Sequence, residues 1–282
     1  MSKWGVAVIK LVAIDIDGTL VNEKKIMTAK VKQTIHKAMD HGVKIVLCTG
    51  RPIAGIMPYL EELEMFKEDD FVISQNGAVI TRTDTREIIE VWPFEKEMIE
   101  TLYAFGKDFS AEFLLMNEEH FYMITPDEEA AHIRPELQGE GETVRMPVEL
   151  TSLATLEGDY VKTMFFGDTA EIDEVEAALP AEFYEAFSIA RSQNYLLEIG
   201  AKNVNKGTAL LKLAEDLGIA RDEVMAIGDG NNDYDMIQAA GLGVVMENGT
   251  ERLKGIAKEM TLSNENDGVA HALEKFVLKN KQ

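Results

Sequence analysis

The sequence contains a single cysteine and few histidines, which limits the chemistry open to it. Cys48 has no second cysteine for a disulfide within the chain, and it ends the apolar run Val43-Lys-Ile-Val-Leu47. We therefore expect a buried structural thiol in a reducing compartment rather than a nucleophile. The five histidines show no zinc-ligand spacing with one another or with Cys48, so zinc chemistry is not indicated.

Positive charge is also scarce. Among 282 residues there are 28 Lys and Arg against 50 Asp and Glu, a net charge of −22 at pH 7. This charge disfavours nucleic acid and anionic membrane surfaces as partners. A small phosphorylated metabolite can still bind where a metal ion and one or two lysines reverse the sign locally.

Long hydrophobic runs are missing as well. No apolar stretch approaches the ~18 residues that indicate a membrane span, and residues 1–5 show no apolar segment followed by a small-residue cleavage site. The N-terminus is thus unlike a secretory signal. We expect a cytoplasmic protein.

What the sequence does contain is an alternation of strand-like and helical patterns. Short apolar, β-branched runs lie at 6–14, 43–47, 71–74, 224–227 and 243–246, and helical spacing of apolar residues marks 28–41, 53–65 and 206–217. Such alternation is typical of βαβ units. We therefore predict an α/β fold, with a Rossmann-like, doubly wound parallel-sheet core and helices on both faces.

The middle of the chain breaks this alternation. Residues 78–91 resemble two strands around a polar turn, and we expect this hairpin to lead out of the sheet. A second set of patterns follows, with helices at 95–105 and 172–179, paired strands at 113–116 and 120–124, and a strand at 161–166. We predict a core domain formed by residues 1–83 and 192–282, with an inserted α/β domain at 84–191.

Asp15 and Asp17 leave the first predicted strand with one residue between them. Strand side chains alternate faces, so both carboxylates start on the same side, and Gly18 lets the backbone turn away. Open α/β sheets bind ligands at the carboxyl ends of their strands. A divalent cation is the expected partner, although an isolated Asp-x-Asp is more often only an acidic turn.

Two further motifs follow strand patterns. Leu47-Cys-Thr49-Gly50-Arg51-Pro52 offers a hydroxyl and backbone N–H groups, which suit a phosphate oxygen. Asn203-Val-Asn205-Lys206-Gly207 places a lysine in the first turn of a helix, where the helix dipole disfavours a cation that has no negative partner. Taken singly, the first is more typical of ordinary helix capping and the second of a solvent-exposed lysine.

A fourth motif is an apolar strand that ends in two acids and two amides, Gly228-Asp229-Gly230-Asn231-Asn232-Asp233. Carboxylate and amide oxygens are hard donors that suit Mg²⁺. The Gly228-x-Gly230 within the motif lacks the third glycine of a dinucleotide-binding loop, so we interpret both glycines as turn residues.

Together the four motifs resemble, in order and context, the signatures of the haloacid dehalogenase-like superfamily of phosphotransferases. The matching segments are Asp15-x-Asp17-Gly18-Thr19, Thr49-Gly50-Arg51-Pro52, Asn205-Lys206-Gly207 and Gly228-Asp229-x-x-Asn232-Asp233. Asn76-Gly77-Ala78, the insertion and the tail Ser263-Asn-Glu-Asn-Asp267-Gly268-Val269-Ala270 resemble its Cof-type branch, within which the sugar-phosphate phosphatases are most similar. The resemblance covers essentially the whole chain.

The resemblance implies a Mg²⁺-dependent phosphatase that acts on small phosphorylated metabolites, sugar phosphates in particular, through an aspartyl-phosphate. It implies that residues 84–191 are a cap that sets substrate specificity. By similarity, Asp15 is the nucleophile and Asp17 the general acid and then the base. The carboxylates of Asp15 and Asp229 and the backbone carbonyl of Asp17 would hold Mg²⁺.

The same resemblance assigns the phosphate site. Phosphate oxygens would be bound by the side chains of Lys206, Thr49 and Asn232 and by the backbone N–H groups of Ile16 and Gly50. Three more residues are expected to support these groups without touching the substrate: Asp233, which would anchor Lys206 or a metal-bound water, Arg51 and Asn76.

Two alternatives stay open at this point. An acid at Asp17 fits hydrolysis or a phosphomutase, whereas ion pumps and dehalogenases of the superfamily lack it. A non-enzymatic receiver-like phospho-acceptor module also combines aspartates, a threonine, a lysine and Mg²⁺. Its acceptor lies on a middle strand, however, and it has no insertion of this size. Neither the metabolite nor the oligomeric state follows from the sequence.

Overall fold

The computed structural model describes residues 8–126, 132–144 and 146–279, so residues 6 and 7 of the first predicted strand lie outside it. The chain divides into two compact units. The first comprises the residues up to Gly50, Met57–Glu90 and the residues from Asn205 onward, and the second comprises Arg51–Ile56 and Val91–Val204. The changes of unit after Glu90 and after Val204 fall later in the chain than the boundaries predicted at 83/84 and 191/192, and the short stretch Arg51–Ile56 was not predicted to leave the core domain.

The strands and helices follow one another in an order that returns to the first unit after the second. Up to Val91 they are β1 (Leu11–Ile14), α1 (Ala29–Asp40), β2 (Lys44–Cys48), α2 (Ile53–Leu63), β3 (Phe71–Ser74), β4 (Val79–Arg82) and β5 (Ile88–Val91). The second unit adds α3 (Lys96–Gly106), β6 (Glu112–Met116), β7 (Phe121–Ile124), α4 (Pro135–Val144), β8 (Val148–Thr151), β9 (Lys162–Phe166), α5 (Thr169–Ala178), α6 (Ala181–Ala186), β10 (Phe187–Gln193) and β11 (Leu196–Ala201). The chain then continues with α7 (Lys206–Asp216), β12 (Val224–Gly228), α8 (Tyr234–Ala239), β13 (Leu242–Val245), α9 (Glu251–Lys254), β14 (Glu259–Met260) and α10 (Gly268–Leu273).

The sheet of the first unit has the strand order β14-β13-β12-β1-β2-β3-β4-β5. The strands from β14 to β3 are parallel, and every residue of β1 is buried. A strand without an exposed face needs cover on both sides, as parallel sheets have. The predicted α/β class with a parallel-sheet core is confirmed.

The expectation that residues 78–91 lead out of this sheet is wrong. β4 pairs antiparallel with β3, from Phe71 opposite Arg82 to Ser74 opposite Val79, and β5 is its outer neighbour. Val79 and Ile80 are buried there. The hairpin satisfies the backbone groups at the free edge of β3, which would otherwise be left unpaired.

The second unit contains a six-stranded sheet with the order β10-β11-β9-β6-β7-β8. Its neighbouring strands are antiparallel, except for β7 and β8, which are parallel. Phe165 of β9 belongs to a core that includes residues of α3, α5 and α6, whereas Met164 and Phe166 belong to a second core that includes Leu137 of α4. The strand therefore buries both of its faces, each against a different core.

None of the helices in the described ranges combines the length and apolar composition needed to cross a membrane. Cys48 ends β2 and is fully buried, as the sequence predicted. Burial raises the pKa of its thiol, which keeps the sulfur protonated and unreactive at neutral pH.

Candidate active site

Three neighbouring parallel strands bring their carboxyl ends to the same level of the first sheet. Ile14 at the end of β1 is aligned with Ile227 of β12 and with Leu47 of β2. The backbone N–H of Asp15 extends this ladder by donating to the carbonyl of Ile227 at 3.0 Å. The first, second and fourth sequence motifs therefore begin side by side.

The third motif joins them through a buried lysine. Lys206 opens α7, and its side chain has an exposed fraction of 0%. Its Nζ lies 2.5 Å from Oδ1 of Asp15 and 2.6 Å from Oδ1 of Asp233. Burial alone would lower the pKa of the ammonium, but the two carboxylates outweigh burial and raise it. The solvent-exposed interpretation of Lys206 is thus excluded.

The start of α7 reaches this position because glycines allow close approach. Gly77 has φ of +97°, and a Cβ there would lie 2.2 Å from the carbonyl oxygen of Asn205. A Cβ on Gly207 would lie 2.4 Å from the carbonyl oxygen of Asp235, just inside α8. Side chains at either glycine would push Lys206 out of reach of the carboxylates.

Asn76 lies in the turn between β3 and β4. Gln75 and Asn76 both have left-handed backbones, with φ of 50° and 56°, a conformation that residues with a Cβ adopt at a cost. Oδ1 of Asn76 accepts from Nδ2 of Asn232 at 3.0 Å. A Cβ on Gly50 would be 2.9 Å from the same oxygen, so three of the predicted site residues meet here.

Asp233 is held by several donors at once. Its Oδ1 accepts from Lys206, while its Oδ2 accepts from the backbone N–H groups of Asp229 at 2.9 Å and Gly230 at 2.8 Å. These contacts fix the turn after β12 and the position of the Lys206 ammonium together.

Asp229 is placed by a residue to which the sequence analysis gave no role. Oγ1 of Thr19 donates to Oδ1 of Asp229 at 2.6 Å. Gly18 has φ of +84°, and a Cβ there would lie 2.3 Å from Oδ2 of Asp229. The turn after β1 and the turn after β12 therefore need a glycine where they meet.

The carboxylates of Asp15, Asp229 and Asp233 each offer an oxygen within 4.8 Å of the others, an arrangement that could hold a metal ion. Burial, and then the charge of Asp233, raise the pKa of Asp15 to about 8 even though Lys206 acts in the opposite direction. Burial also raises the pKa of Asp229 to about 6, with a further contribution from Asp233. The three carboxylates are hard oxygen donors, and the single charge of Lys206 does not neutralise them all. Such a site suits a divalent cation.

The carboxylate of Asp17 is not part of this group. Its Oδ1 is 2.6 Å from Nζ of Lys25, in the loop before α1. Asp233, which was predicted to anchor Lys206 or a metal-bound water, has its carboxylate in this group, but Lys206 and two backbone N–H groups already donate to it.

The other predicted residues have these positions. Thr49 and Ile16 are buried, and the backbone N–H of Thr49 donates to the carbonyl of Ile73 at 2.9 Å. Arg51 belongs to the second unit, and its Nη1 donates to the carbonyl of Gly55 at 3.2 Å.

Sequence reasoning missed Thr19, Lys25 and Asn248. Thr19 lies inside the first motif, and Asn248, whose Nδ2 donates to the carbonyl of Gly18 at 2.8 Å, follows the end of another parallel strand. A search of every strand end for amides would have found Asn248. Lys25 lies in an irregular loop, where no periodic pattern marks it.

Comparison with known proteins shows relatives along nearly the whole chain. The protein named "Putative phosphatase YxeH" of Bacillus subtilis is 35% identical over 271 residues, which are 95% of this chain and 98% of the relative. The 5-amino-6-(5-phospho-D-ribitylamino)uracil phosphatase YcsE of the same organism is 30% identical over 272 residues, 96% of each chain.

Solved structures share the fold. A haloacid dehalogenase-like hydrolase from Bacteroides thetaiotaomicron has a TM-score of 0.81 at 32% identity, covering 95% of this chain and 99% of its own. The subclass IIB sugar phosphatase BT4131 has a TM-score of 0.74 at 24% identity, covering 95% and 98%. This second likeness shows the fold alone.

The family described as haloacid dehalogenase-like hydrolase matches residues 12–273. This range contains all four sequence motifs and the strand ends that carry the aspartates. The resemblance inferred from the motifs is confirmed, and the chain belongs to the haloacid dehalogenase-like hydrolases.

Proposed function

We propose that this chain is a Mg²⁺-dependent phosphatase that hydrolyses small phosphorylated metabolites, sugar phosphates in particular, through an aspartyl-phosphate on Asp15. The observation that carries the proposal is the buried contact of Lys206 with Asp15 and Asp233 beside Asp229. A nucleophile, a fixed cation and oxygen donors for a metal ion then converge at one strand edge.

The substrate class draws its support from the relatives. YcsE, at 30% identity, is named for a substrate that carries a phosphate on a ribityl chain, a sugar alcohol. A phosphate ester of a small polyol suits this site, because the residues assigned to it bind or attack the phosphate group and not the rest of the molecule. Residues 84–191 stay our prediction for the cap that selects the rest of the molecule.

In the first step, a carboxylate oxygen of Asp15 attacks phosphorus in line with the ester bond. The bond from Asp15 to phosphorus forms as the bond to the leaving oxygen breaks, and Asp17 gives its proton to that oxygen. The products are an alcohol and an acyl phosphate on Asp15.

In the second step, Asp17 takes a proton from water while the water oxygen attacks phosphorus. The bond between phosphorus and Asp15 breaks, which restores the carboxylate and releases inorganic phosphate. Asp17 therefore ends the cycle protonated, ready for the next leaving group.

The phosphate oxygens are bound by Lys206, Thr49 and Asn232 and by the backbone N–H groups of Ile16 and Gly50. Asn76 orients the amide of Asn232, and Asp233 holds Lys206. Arg51 supports the phosphate-binding groups without touching the substrate.

The metal ion would be held by the carboxylates of Asp15 and Asp229 and the backbone carbonyl of Asp17. When bound, Mg²⁺ supplies positive charge that offsets the repulsion between an anionic nucleophile and an anionic substrate. Asp233 already accepts from Lys206 and two backbone N–H groups, which favours its anchoring role over direct coordination.

The test is release of inorganic phosphate across sugar phosphates, nucleotides and cofactor phosphates, with Mg²⁺ present. We expect many turnovers per chain with at least one sugar phosphate. Asp15→Asn should abolish turnover because the nucleophile is removed, while Asp40→Asn, an exposed aspartate at the end of α1, should leave it unchanged.

Thermal unfolding of both variants separates loss of chemistry from loss of fold. Stoichiometric phosphorylation without turnover would overturn the proposal in favour of a receiver-like module. Transfer of phosphate to a second position of the substrate without net release would indicate a mutase, and substantial turnover by Asp15→Asn would refute the nucleophile.

A further inference from the structure

The loop between Asp17 and α1 brings a cation onto Asp17 that none of the roles above explains. Nζ of Lys25 lies 2.6 Å from Oδ1 of Asp17, and the exposed fractions of the two side chains are 58% and 39%. Asp17 is the group to which the proposed function gives both proton transfers. A residue that fixes its side chain therefore acts on both steps.

Lys25 is presented by a tight turn that Asn22 organises. Oδ1 of Asn22 accepts from the backbone N–H groups of Lys24 at 3.1 Å and Ile26 at 3.0 Å. The backbone N–H of Lys25 donates to the carbonyl of Asn22 at 2.9 Å, and Lys25 has a left-handed φ of 59°. An unfavourable backbone conformation at the very residue whose ammonium meets Asp17 points to a positional requirement there.

The tail segment, residues 263–268, holds this loop along its length. Nδ2 of Asn264 donates to the carbonyl of Val21 at 3.0 Å, and Oε1 of Glu265 accepts from the backbone N–H of Glu23 at 2.8 Å. At the far end, Oγ1 of Thr28 donates to Oδ1 of Asp267 at 2.5 Å.

The start of the loop is tied to the same segment. The backbone N–H of Asn264 donates to Oδ1 of Asn248 at 3.0 Å, and Nδ2 of Asn248 donates to the carbonyl of Gly18. The tail segment therefore contacts the loop at Val21, Glu23 and Thr28 and, through Asn248, at Gly18.

We propose that Lys25 is a positioning residue for Asp17, and that the tail segment fixes the loop that carries it. Lys25 holds the Asp17 carboxyl in one orientation at the strand edge, where it can reach the leaving oxygen and then the water. This inference rests on the proposed function, because it needs Asp17 to transfer protons.

Leaving-group dependence distinguishes this role from a purely structural one. The ratio kcat/KM reports the step in which the alcohol departs. A p-nitrophenolate departs without a proton, whereas an alkoxide needs one. Loss of a positioned acid therefore affects alkyl esters selectively. Benzyl phosphate and p-nitrophenyl phosphate form a suitable pair because they have similar sizes.

For Lys25→Met we expect kcat/KM to fall about tenfold with benzyl phosphate and less than about twofold with p-nitrophenyl phosphate. The tenfold loss is smaller than the ~10²–10⁴-fold contribution of a general acid, because Asp17 itself is still present. Lys25→Arg should recover most of the loss, because it keeps the charge and reach. The matched control is Lys24→Met, an exposed lysine one residue earlier, which should leave both esters unchanged.

The tail segment is tested in the same assay. Glu265→Ala removes the acceptor for the backbone N–H of Glu23, and we expect the same selective loss, about threefold with benzyl phosphate, as befits one hydrogen bond at the surface. Glu265→Gln keeps a carbonyl oxygen at that place and should behave like the parent protein. Melting temperatures of all variants identify any that fail to fold.

An equal loss for both esters with Lys25→Met, or no loss for either, would overturn this inference. The proposed function would still stand in that case, provided that Asp15→Asn is inactive. Turnover by Asp15→Asn would instead remove the proposed function, and the inference with it.

Discussion

At Lys206 a full positive charge lies in the interior of the protein. Isolated burial of an ammonium is strongly unfavourable, and here two carboxylates within 2.6 Å compensate for the lost hydration. The arrangement leaves Asp15 and Asp233 dependent on one cation, while Asp229 beside them accepts a hydrogen bond from the uncharged hydroxyl of Thr19. The local surplus of negative charge favours uptake of a metal ion.

A residue-scale prediction concerns Asp17. Asp17→Asn keeps the size of the side chain but removes its proton transfer, so turnover should fall about 10²–10⁴-fold. With p-nitrophenyl phosphate, whose leaving group needs no acid, we expect a rapid burst of p-nitrophenolate approaching one per chain, followed by slow hydrolysis. Rapid-quench measurement of the burst and of acid-stable phosphoenzyme checks this result.

Asp40→Asn is again the matched control, and it should show ordinary steady-state kinetics. An Asp17→Asn protein that turns over normally, without a burst, would contradict the role of Asp17 in breaking down the acyl phosphate.

The sequence predicted the residues that lie at regular strand ends, because the ends of parallel strands meet at one edge. Asp15, Thr49 and Asp229 could be grouped in this way. The contact of Lys25 with Asp17 could not, since it depends on a left-handed turn and on a tail segment that lies about 240 residues later in the chain. Such long-range hydrogen bonds leave no local pattern.

At the scale of single elements, the start of α5 shows how a helix terminus is secured. Asp168 caps the helix by accepting from the backbone N–H groups of Ala170 and Glu171, and the Glu171 side chain accepts from the backbone N–H of Asp168 in return. Arg134 donates to both carboxylate oxygens of Glu171, at 2.7 and 3.0 Å. The hydrogen bond from Arg134 lowers the pKa of Glu171 from its ordinary value of 4.5.

This contact predicts a pH-dependent contribution to stability. Because the pKa of Glu171 is lower in the folded protein, the contribution is present above pH 4.5 and is lost as pH falls through the folded-state pKa. Glu171→Gln should lower the melting temperature by about 2–4 °C at pH 7. The difference should shrink as the solution is acidified below pH 4.5.

Thermal unfolding followed by circular dichroism over this pH range measures the effect. The control is Glu174→Gln on the same helix, where the side chain is exposed. A Glu171→Gln deficit that stays constant down to pH 3 would show that packing, not the charge of Glu171, is responsible.

Elements with strong periodicity were predicted closely, and those that depend on tertiary pairing were not. The helix expected at 28–41 is Ala29–Asp40, with Thr28 as its N-cap. By contrast, β10 and β11 and the short helix α6 were missed. The hairpin of β4 and β5 was placed outside the sheet, because a free strand edge cannot be recognised before the sheet is assembled.

For the molecule as a whole, a net charge of −22 makes a divalent cation the natural means of admitting an anionic substrate. We predict that EDTA abolishes phosphate release and that excess Mg²⁺ restores it. The far-ultraviolet circular dichroism should not change, because hydrogen bonds from Lys206, Thr19 and backbone N–H groups hold the aspartates.

EDTA loaded beforehand with Mg²⁺ is the control for direct effects of the chelator. Mg²⁺ should also raise the melting temperature of the chelated protein, since it binds the folded state. Full activity in EDTA would contradict a metal-dependent reaction, whereas loss of secondary structure would contradict a preformed site.

The position of β1 in the sheet has a consequence for how the protein is made. β1 lies between β2 and β12, and the residues joined by the Lys206–Asp15 contact are 191 apart in sequence. At ~5–20 residues per second, the ribosome needs roughly ten to forty seconds to reach β12 after β1. During this interval the apolar strand β1 has one unpaired edge, a template for intermolecular pairing. We therefore expect the edge of β1 to stay open to such pairing until β12 has been synthesised.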